Sequence, residues 1–254
     1  MGVPGPWRNR EELTRALTRF RGEYLFAGLV FRESSSGAAC EFELQKRTPE
    51  LRQAVEIAGQ GAFADEDLRA VDRHKTTAWL VFDQPGLETA RTAARFARAL
   101  LEAGGVAVKV DSAGLAHTRE RWLRDWDDQD PRAIYALFVT LVGGEGIIYS
   151  CGMQNFALPD TAVPMSLGEA EAAQMINIFN LYQVFESPEL ESGNTFSLDA
   201  DSPSFRVMHE TYVDGYQGTT LENPHGLWML HPLAPEPPRE PSRPERRRWR
   251  LPWT

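Results

Sequence analysis

Residues 76–110, TTAWLVFDQPGLETARTAARFARALLEAGGVAVKV, decide how this chain folds. Thr76–Phe82 has the length and the aliphatic and aromatic content of a buried strand. From Leu87 to Ala103, Leu87, Ala90, Ala94, Ala97 and Leu101 fall on one helical stripe, and Gly104-Gly105 ends it. The other face carries Arg91, Arg95 and Arg98 and is expected to be solvated. Val106–Val110 is then a second strand. Strand, helix, strand is a β-α-β unit, which predicts two parallel strands with a right-handed connection.

Upstream, residues 9–20 read as a helix, with Asn9 as N-cap, Leu13, Leu17 and Phe20 on one face, and Gly22 as the stop. Tyr24–Glu33 and Ala39–Gln45 flank Ser34-Ser35-Ser36-Gly37, a hairpin signal. In the second run Cys40, Phe42 and Leu44 alternate with Glu41 and Glu43, so one face is buried and Cys40 reads as a small core residue. Pro49–Ala58 and Asp65–Arg73 are short helices on either side of Gly59-Gln60-Gly61. Downstream, Ile134–Val142 and Ile147–Cys151 surround Gly143-Gly144-Glu145-Gly146 as a second hairpin. Leu167–Glu186 is a long helix apolar almost all round, hence buried on more than one side. Thr195–Leu198, Phe205–Val213 and Leu227–Leu230 complete the strands, and Trp228 is expected to close the core.

The expected class is therefore α+β: residues 1–130 and 131–231 form two hairpin-plus-helix halves, open to packing as one mixed sheet with helices. From Pro232 to Thr254 prolines and arginines dominate, a composition that cannot bury enough apolar area to fold and predicts a disordered tail. Its run Arg246-Arg247-Arg248-Trp249-Arg250 reads first as a solubilising charge cluster.

The formal charge of the 254 residues is −9, and removing the tail's +3 leaves the rest at −12. That argues against nucleic acid as the partner of the folded part, since phosphate neutralisation needs a basic face. It favours a protein partner, one of basic character. Two cysteines make neither a disulfide framework nor a zinc pair. The charged N-terminus carries no apolar run, and eighteen consecutive apolar residues occur nowhere, so no membrane span and a cytoplasmic location are expected.

Several polar runs could carry chemistry. Asp111-Ser112-Ala113-Gly114-Leu115-Ala116-His117 follows a strand, where open α/β sheets place ligands. Ser112 and His117 would be nucleophile and base if their side chains met, but the G-x-S-x-G elbow is missing, and the run reads first as a turn in which Ser112 or Asp111 caps the helix containing Trp122. Cys151-Gly152-Met153-Gln154-Asn155-Phe156-Ala157-Leu158-Pro159-Asp160 reads as a shaped loop, with Cys151, Asn155 and Asp160 available for binding. Asn223-Pro224-His225-Gly226 is a turn feeding the last strand, and adds Asn223 and His225. Asp125-Trp126-Asp127-Asp128-Gln129-Asp130 lacks the glycine and distal glutamate of a calcium loop and reads as solvated. The five histidines, His74, His117, His209, His225 and His231, never adopt zinc spacing, and neither a P-loop nor G-x-G-x-x-G occurs, so no metal and no cofactor are expected.

The runs G-M-x-x-F-x-L-P-D at 152–160, VKVDSAGLAH at 108–117, GNTFS at 193–197 and NPHGLW at 223–228 resemble the bacterial domain-of-unknown-function family 4261, over most of residues 6–232. The resemblance implies a bacterial, cytoplasmic α+β module and lends no catalytic residue. Together these readings favour a non-enzymatic protein-binding module of immunity or accessory type. The alternative is a hydrolase or transferase using Ser112 and His117.

Overall fold

A computed structural model describes residues 1–19, 24–144, 146–198, 202–211, 218–219 and 221–233. The first half contains β1 (Gly2–Gly5), α1 (Arg10–Arg19), β2 (Tyr24–Ala27), β3 (Val30–Glu33), β4 (Ala39–Lys46), α2 (Glu50–Ala58), α3 (Asp65–Asp72), β5 (Thr76–Val81), α4 (Leu87–Glu102), β6 (Ala107–Val110), β7 (Leu115–Thr118) and α5 (Arg119–Asp125). The second contains α6 (Pro131–Phe138), β8 (Thr140–Gly143), β9 (Ile147–Cys151), β10 (Asp160–Pro164), α7 (Glu169–Glu186), β11 (Thr195–Phe196), β12 (Phe205–Glu210) and β13 (Leu227–Pro232). The class is α+β, with two mostly antiparallel sheets. One mixed sheet is not formed: the seven-stranded sheet runs β2-β3-β4-β5-β1-β6-β7 and the six-stranded one β11-β12-β13-β10-β9-β8. The chain leaves the first sheet after β7 through α5 and α6, and starts a new one at β8.

β5 and β6 do run parallel, but they are not neighbours. β1 lies between them, antiparallel to both, with Gly2 opposite Trp79 on one side and Lys109 on the other. Its GVPG sequence reads as a loop by propensity, and packing overrides that reading. A Cβ on Gly2 would come within 2.8 Å of the Trp79 ring, and one on Gly5 within 2.1 Å of the Trp7 ring, so two indoles require a bare backbone here. The run 24–33, expected to be one strand, folds back at Gly28 (φ +61°) into β2 and β3. In β4 the expected alternation holds: Cys40 and Phe42 are buried while Glu41 and Glu43 are exposed.

Residues 134–138 are a helix where a strand was expected. Asp130 accepts a hydrogen bond from the Arg132 amide and Pro131 occupies the first turn, a strong start signal. Ile134, Leu137 and Phe138 then share one buried face at helical spacing. Asn9 caps α1 as expected by accepting from the Glu12 amide at 3.0 Å, with Leu13 and Leu17 buried; Phe20 lies outside the described residues. Residues 212–213 of the expected strand 205–213 also lie outside them, as does the expected tail from 234 onward. Pro232, the first residue assigned to that tail, instead pairs with Phe205 at the end of β13.

The arginine face of α4 is not simply solvated. The Arg91, Arg95 and Arg98 side chains are 23%, 26% and 39% exposed. Arg95 meets Glu33 at 3.2 Å, and Arg98 stacks over Trp126 at 4.3 Å while pairing with Glu102. α4 is enclosed because both halves pack on it. The main core joins Phe31, Phe42, Phe96, Leu100 and Trp122 to Ile134, Leu137, Met153 and Phe156 from beyond residue 130. Fully buried aromatic side chains of this kind contribute about 1.5–3 kcal/mol each. α7, buried on more than one side as expected, sends Ile176 and Phe179 to the second sheet with Trp228, and Val184 to the shared core. Among the described residues no helix is long and apolar enough to cross a membrane.

Candidate functional site

A cleft of about 590 Å³ opens at the C-terminal ends of β5 and β6, beside the first turns of α4. Leu80, Phe82, Ala90, Ala93, Val110 and Phe138 give it an apolar floor. Its polar wall comes from three segments: the 3-10 turn Asp111–Ala113 after β6, the 3-10 turn Met153–Phe156 between β9 and β10, and the turn before β13 with Pro224 and His225. A cleft with apolar walls and a few convergent polar groups, at strand ends, is the usual form of a binding site.

Asn155 joins the two halves at this wall. Its Oδ1 accepts from the Ser112 hydroxyl at 2.7 Å, and its Nδ2 donates to the Gly152 carbonyl at 2.8 Å. The Asn155 carbonyl accepts from the Gly86 amide at 2.9 Å, tying the turn to the start of α4. Gln154 donates from Nε2 to the Ser112 carbonyl at 2.7 Å. The turn can approach so closely because Gly152 has no side chain: with φ +121°, its Cβ would sit 2.1 Å from the Phe138 carbonyl oxygen. Asp111, at the cleft, is ion-paired with Lys109.

Behind the wall lies Asp160, only 5% exposed. Its Oδ1 accepts from the Ser150 hydroxyl at 3.1 Å and the Met153 amide at 3.2 Å, and its Oδ2 accepts from Asn223 Nδ2 at 2.7 Å. Asn223 in turn accepts from the His225 amide at 2.9 Å and donates to the Leu158 carbonyl at 3.0 Å. Burial disfavours the charged carboxylate, these hydrogen bonds favour it, and burial wins: the group is pushed up to about 6.

The structure thus brings Ser112 and Asn155 together on the wall, and Asp160, Asn223 and His225 together, with His225 lining the cleft and Asp160 buried behind it. It does not join Ser112 to His117. The His117 ring is fully buried in β7, with Nε2 2.9 Å from the Leu137 carbonyl and an edge contact to Trp122. Burial pulls its pKa down to about 4, so it is neutral at physiological pH. Cys151 is buried in β9 with its thiol pushed up to about 12, first by burial and then by the nearby Asp160, which opposes a reactive thiolate. The acidic run 125–130 links α5 to α6: Asp125 pairs with Arg124 and Asp130 caps α6. Among the described residues no three His, Cys, Asp or Glu side chains gather as a metal site.

Sequence reasoning passed over Ser150, Gln154 and Gly86. Ser150 gains its role only because β9 and β10 pair, which puts its hydroxyl on Asp160 and on the Thr161 amide. Gly86 carried a signal, a Pro-Gly turn before a helix, but its partner lies 69 residues away in the chain. Compared with protein-family models, curated proteins and solved structures, the chain matches none of them.

Proposed function

We propose that this chain is a non-enzymatic binding protein, of the immunity or accessory type, that takes a segment of a basic protein partner into the cleft beside α4. The observation that carries this reading is the commitment of the candidate reactive side chains to structure. At the cleft Ser112 donates to Asn155, while the His117 ring, buried away from the cleft, sits on the Leu137 carbonyl and the buried Cys151 thiol is held protonated. Ser112 and Asn155, cleft-lining groups fixed by their hydrogen bond to each other, are pre-organised to recognise a shape and a hydrogen-bond pattern. The acidic balance of the chain, with Asp83 exposed between lining residues Phe82 and Gln84, favours a cationic partner and speeds its approach. A cytoplasmic setting and kinship with family 4261 belong to the same proposal. The alternative, a hydrolase or transferase using Ser112 and His117, would require the hydroxyl to leave Asn155 and the ring to leave Leu137.

The test is affinity capture by the full chain from a lysate of its source cells, at low and at high salt. One specific basic protein should be retained at low salt and released at high salt. Thr89→Trp, which fills the cleft from the half-buried first turn of α4, should reduce retention at least tenfold. An empty capture at low salt, or undiminished capture by Thr89→Trp, would defeat the reading.

A further inference from the structure

β8 forms one edge of the six-stranded sheet, and its outer side pairs with no other strand among the described residues. The Gly144 amide donates to the Ile147 carbonyl at 2.9 Å, which sets the alternation of the β8–β9 hairpin. Thr140 and Val142 therefore exchange hydrogen bonds with Cys151 and Tyr149, while Leu141 and Gly143 turn their peptide N–H and C=O groups outward. At the start of the strand the Thr140 hydroxyl accepts from Gln60 at 3.3 Å, and at its end Gly143 is exposed. The strand's sequence, TLVG, holds neither a charge nor a proline, the usual guards of a sheet edge. Such an edge is a template for another extended segment.

Alongside it, between β8 and the start of α7, runs a groove of about 320 Å³ lined by Leu141, Val142, Ile148, Met165 and Ala173. Met165 is 43% exposed, so apolar surface here meets solvent. Glu169 stands at the rim, exposed and with no ion-pair partner among the described residues. A segment that fits is extended, free of proline over one strand length, apolar at alternate positions and positively charged.

The chain itself carries that pattern. Glu245-Arg246-Arg247-Arg248-Trp249-Arg250-Leu251 lies between Pro244 and Pro252 and contains no proline. Strand periodicity puts Arg247, Trp249 and Leu251 on one face and Arg246, Arg248 and Arg250 on the other. The topology also delivers the chain to the right end of the sheet. β13 runs parallel to β10, and β10 finishes opposite Ile147, so Pro232 and Leu233 leave the sheet at the end where Gly143 lies. From β13 to β8 is three strand spacings, about 14 Å. Residues 234–244 can span up to about 34 Å at about 3.1 Å per residue, more than the distance requires.

We propose that residues 245–251 add to the open edge of β8 as a further strand, with Trp249 and Leu251 in the groove and Arg247 beside Glu169. A segment too poor in apolar residues to fold alone gains a surface to fold on, and the edge gains a cover against other chains. Backbone hydrogen bonds to Leu141 and Gly143 supply the register. The −12 formal charge of the rest of the chain draws the arginines in. This docking does not depend on what the cleft beside α4 binds.

Amide hydrogen exchange on the full chain, read at the outward amides of Leu141 and Gly143, tests the added strand. A tethered segment at about 1 mM effective concentration, with a dissociation constant of about 0.1 mM, protects them about tenfold. That protection should disappear in Trp249→Ser and fall in Glu169→Lys. Trp249 belongs to none of the described elements, and unchanged protection at the Phe179 and Val207 amides verifies that the core is intact. Equal protection of Leu141 and Gly143 in the wild type and in Trp249→Ser overturns the proposal. Protection that grows with protein concentration assigns the strand to a second copy and overturns docking within one chain. A loss in Trp249→Ser with no change in Glu169→Lys overturns the register that sets Arg247 beside Glu169.

Discussion

His117 and Asp160 are buried side chains that titrate in overlapping pH windows with opposite consequences for stability. His117 drops from 6.5 to about 4 on folding, so the unfolded chain binds its proton more tightly, and stability is lost as pH falls through that interval. Asp160 rises from 3.8 to about 6, so the folded chain binds the proton more tightly, and stability is lost as pH rises through that interval. The two slopes offset each other in the wild type. Denaturant unfolding between about pH 7 and about pH 5 should therefore show a steeper acid loss in Asp160→Asn than in the wild type. His117→Phe, which keeps a ring against Trp122, should instead gain stability on acidification relative to the wild type. Parallel profiles for the three proteins would contradict both assignments. The sequence marks both residues as candidates but not their state, because the shifts arise from desolvation by residues distant in the chain.

At the scale of elements, the closest approach in the site is that of the 152–156 turn to the end of α6. Gly152→Ala places a methyl group against the Phe138 carbonyl at a positive φ, and should cost about 3 kcal/mol or more, read as a shift of the denaturation midpoint. The helices α1 and α4, which carry their own periodicity, and α7, a long run apolar almost all round, were legible, as were the alternation in β4 and the hairpin at β8–β9. α6 was misread because Ile134–Val142 looks strand-like in composition, although Asp130-Pro131 already marks a helix start. β10 was missed between Pro159 and Pro164: as an interior strand it buries Asp160 and Thr161, so neither alternation nor an apolar run betrays it.

At the scale of the whole molecule, the shared core around α4 makes the two halves interdependent. Ile134, Leu137, Met153 and Phe156 are buried against residues from before position 130. Unfolding should consequently be a single transition, coincident by far-ultraviolet and aromatic signals, and residues 1–130 expressed alone should not melt cooperatively. Two resolved transitions would instead show independently folding halves. The α+β class, most elements and the polar runs from which the wall is built were fixed by the sequence itself, because periodicity and turn chemistry act over a few residues. Two features were decided by the tertiary structure alone: the insertion of β1 between β5 and β6, and the convergence of the polar runs. Ser112 reaches Asn155 across 43 residues and Asp160 reaches Asn223 across 63, and neither pairing has a local signature. Each depends on how two sheets pack around one helix, and that packing also sets which carboxyl group is buried.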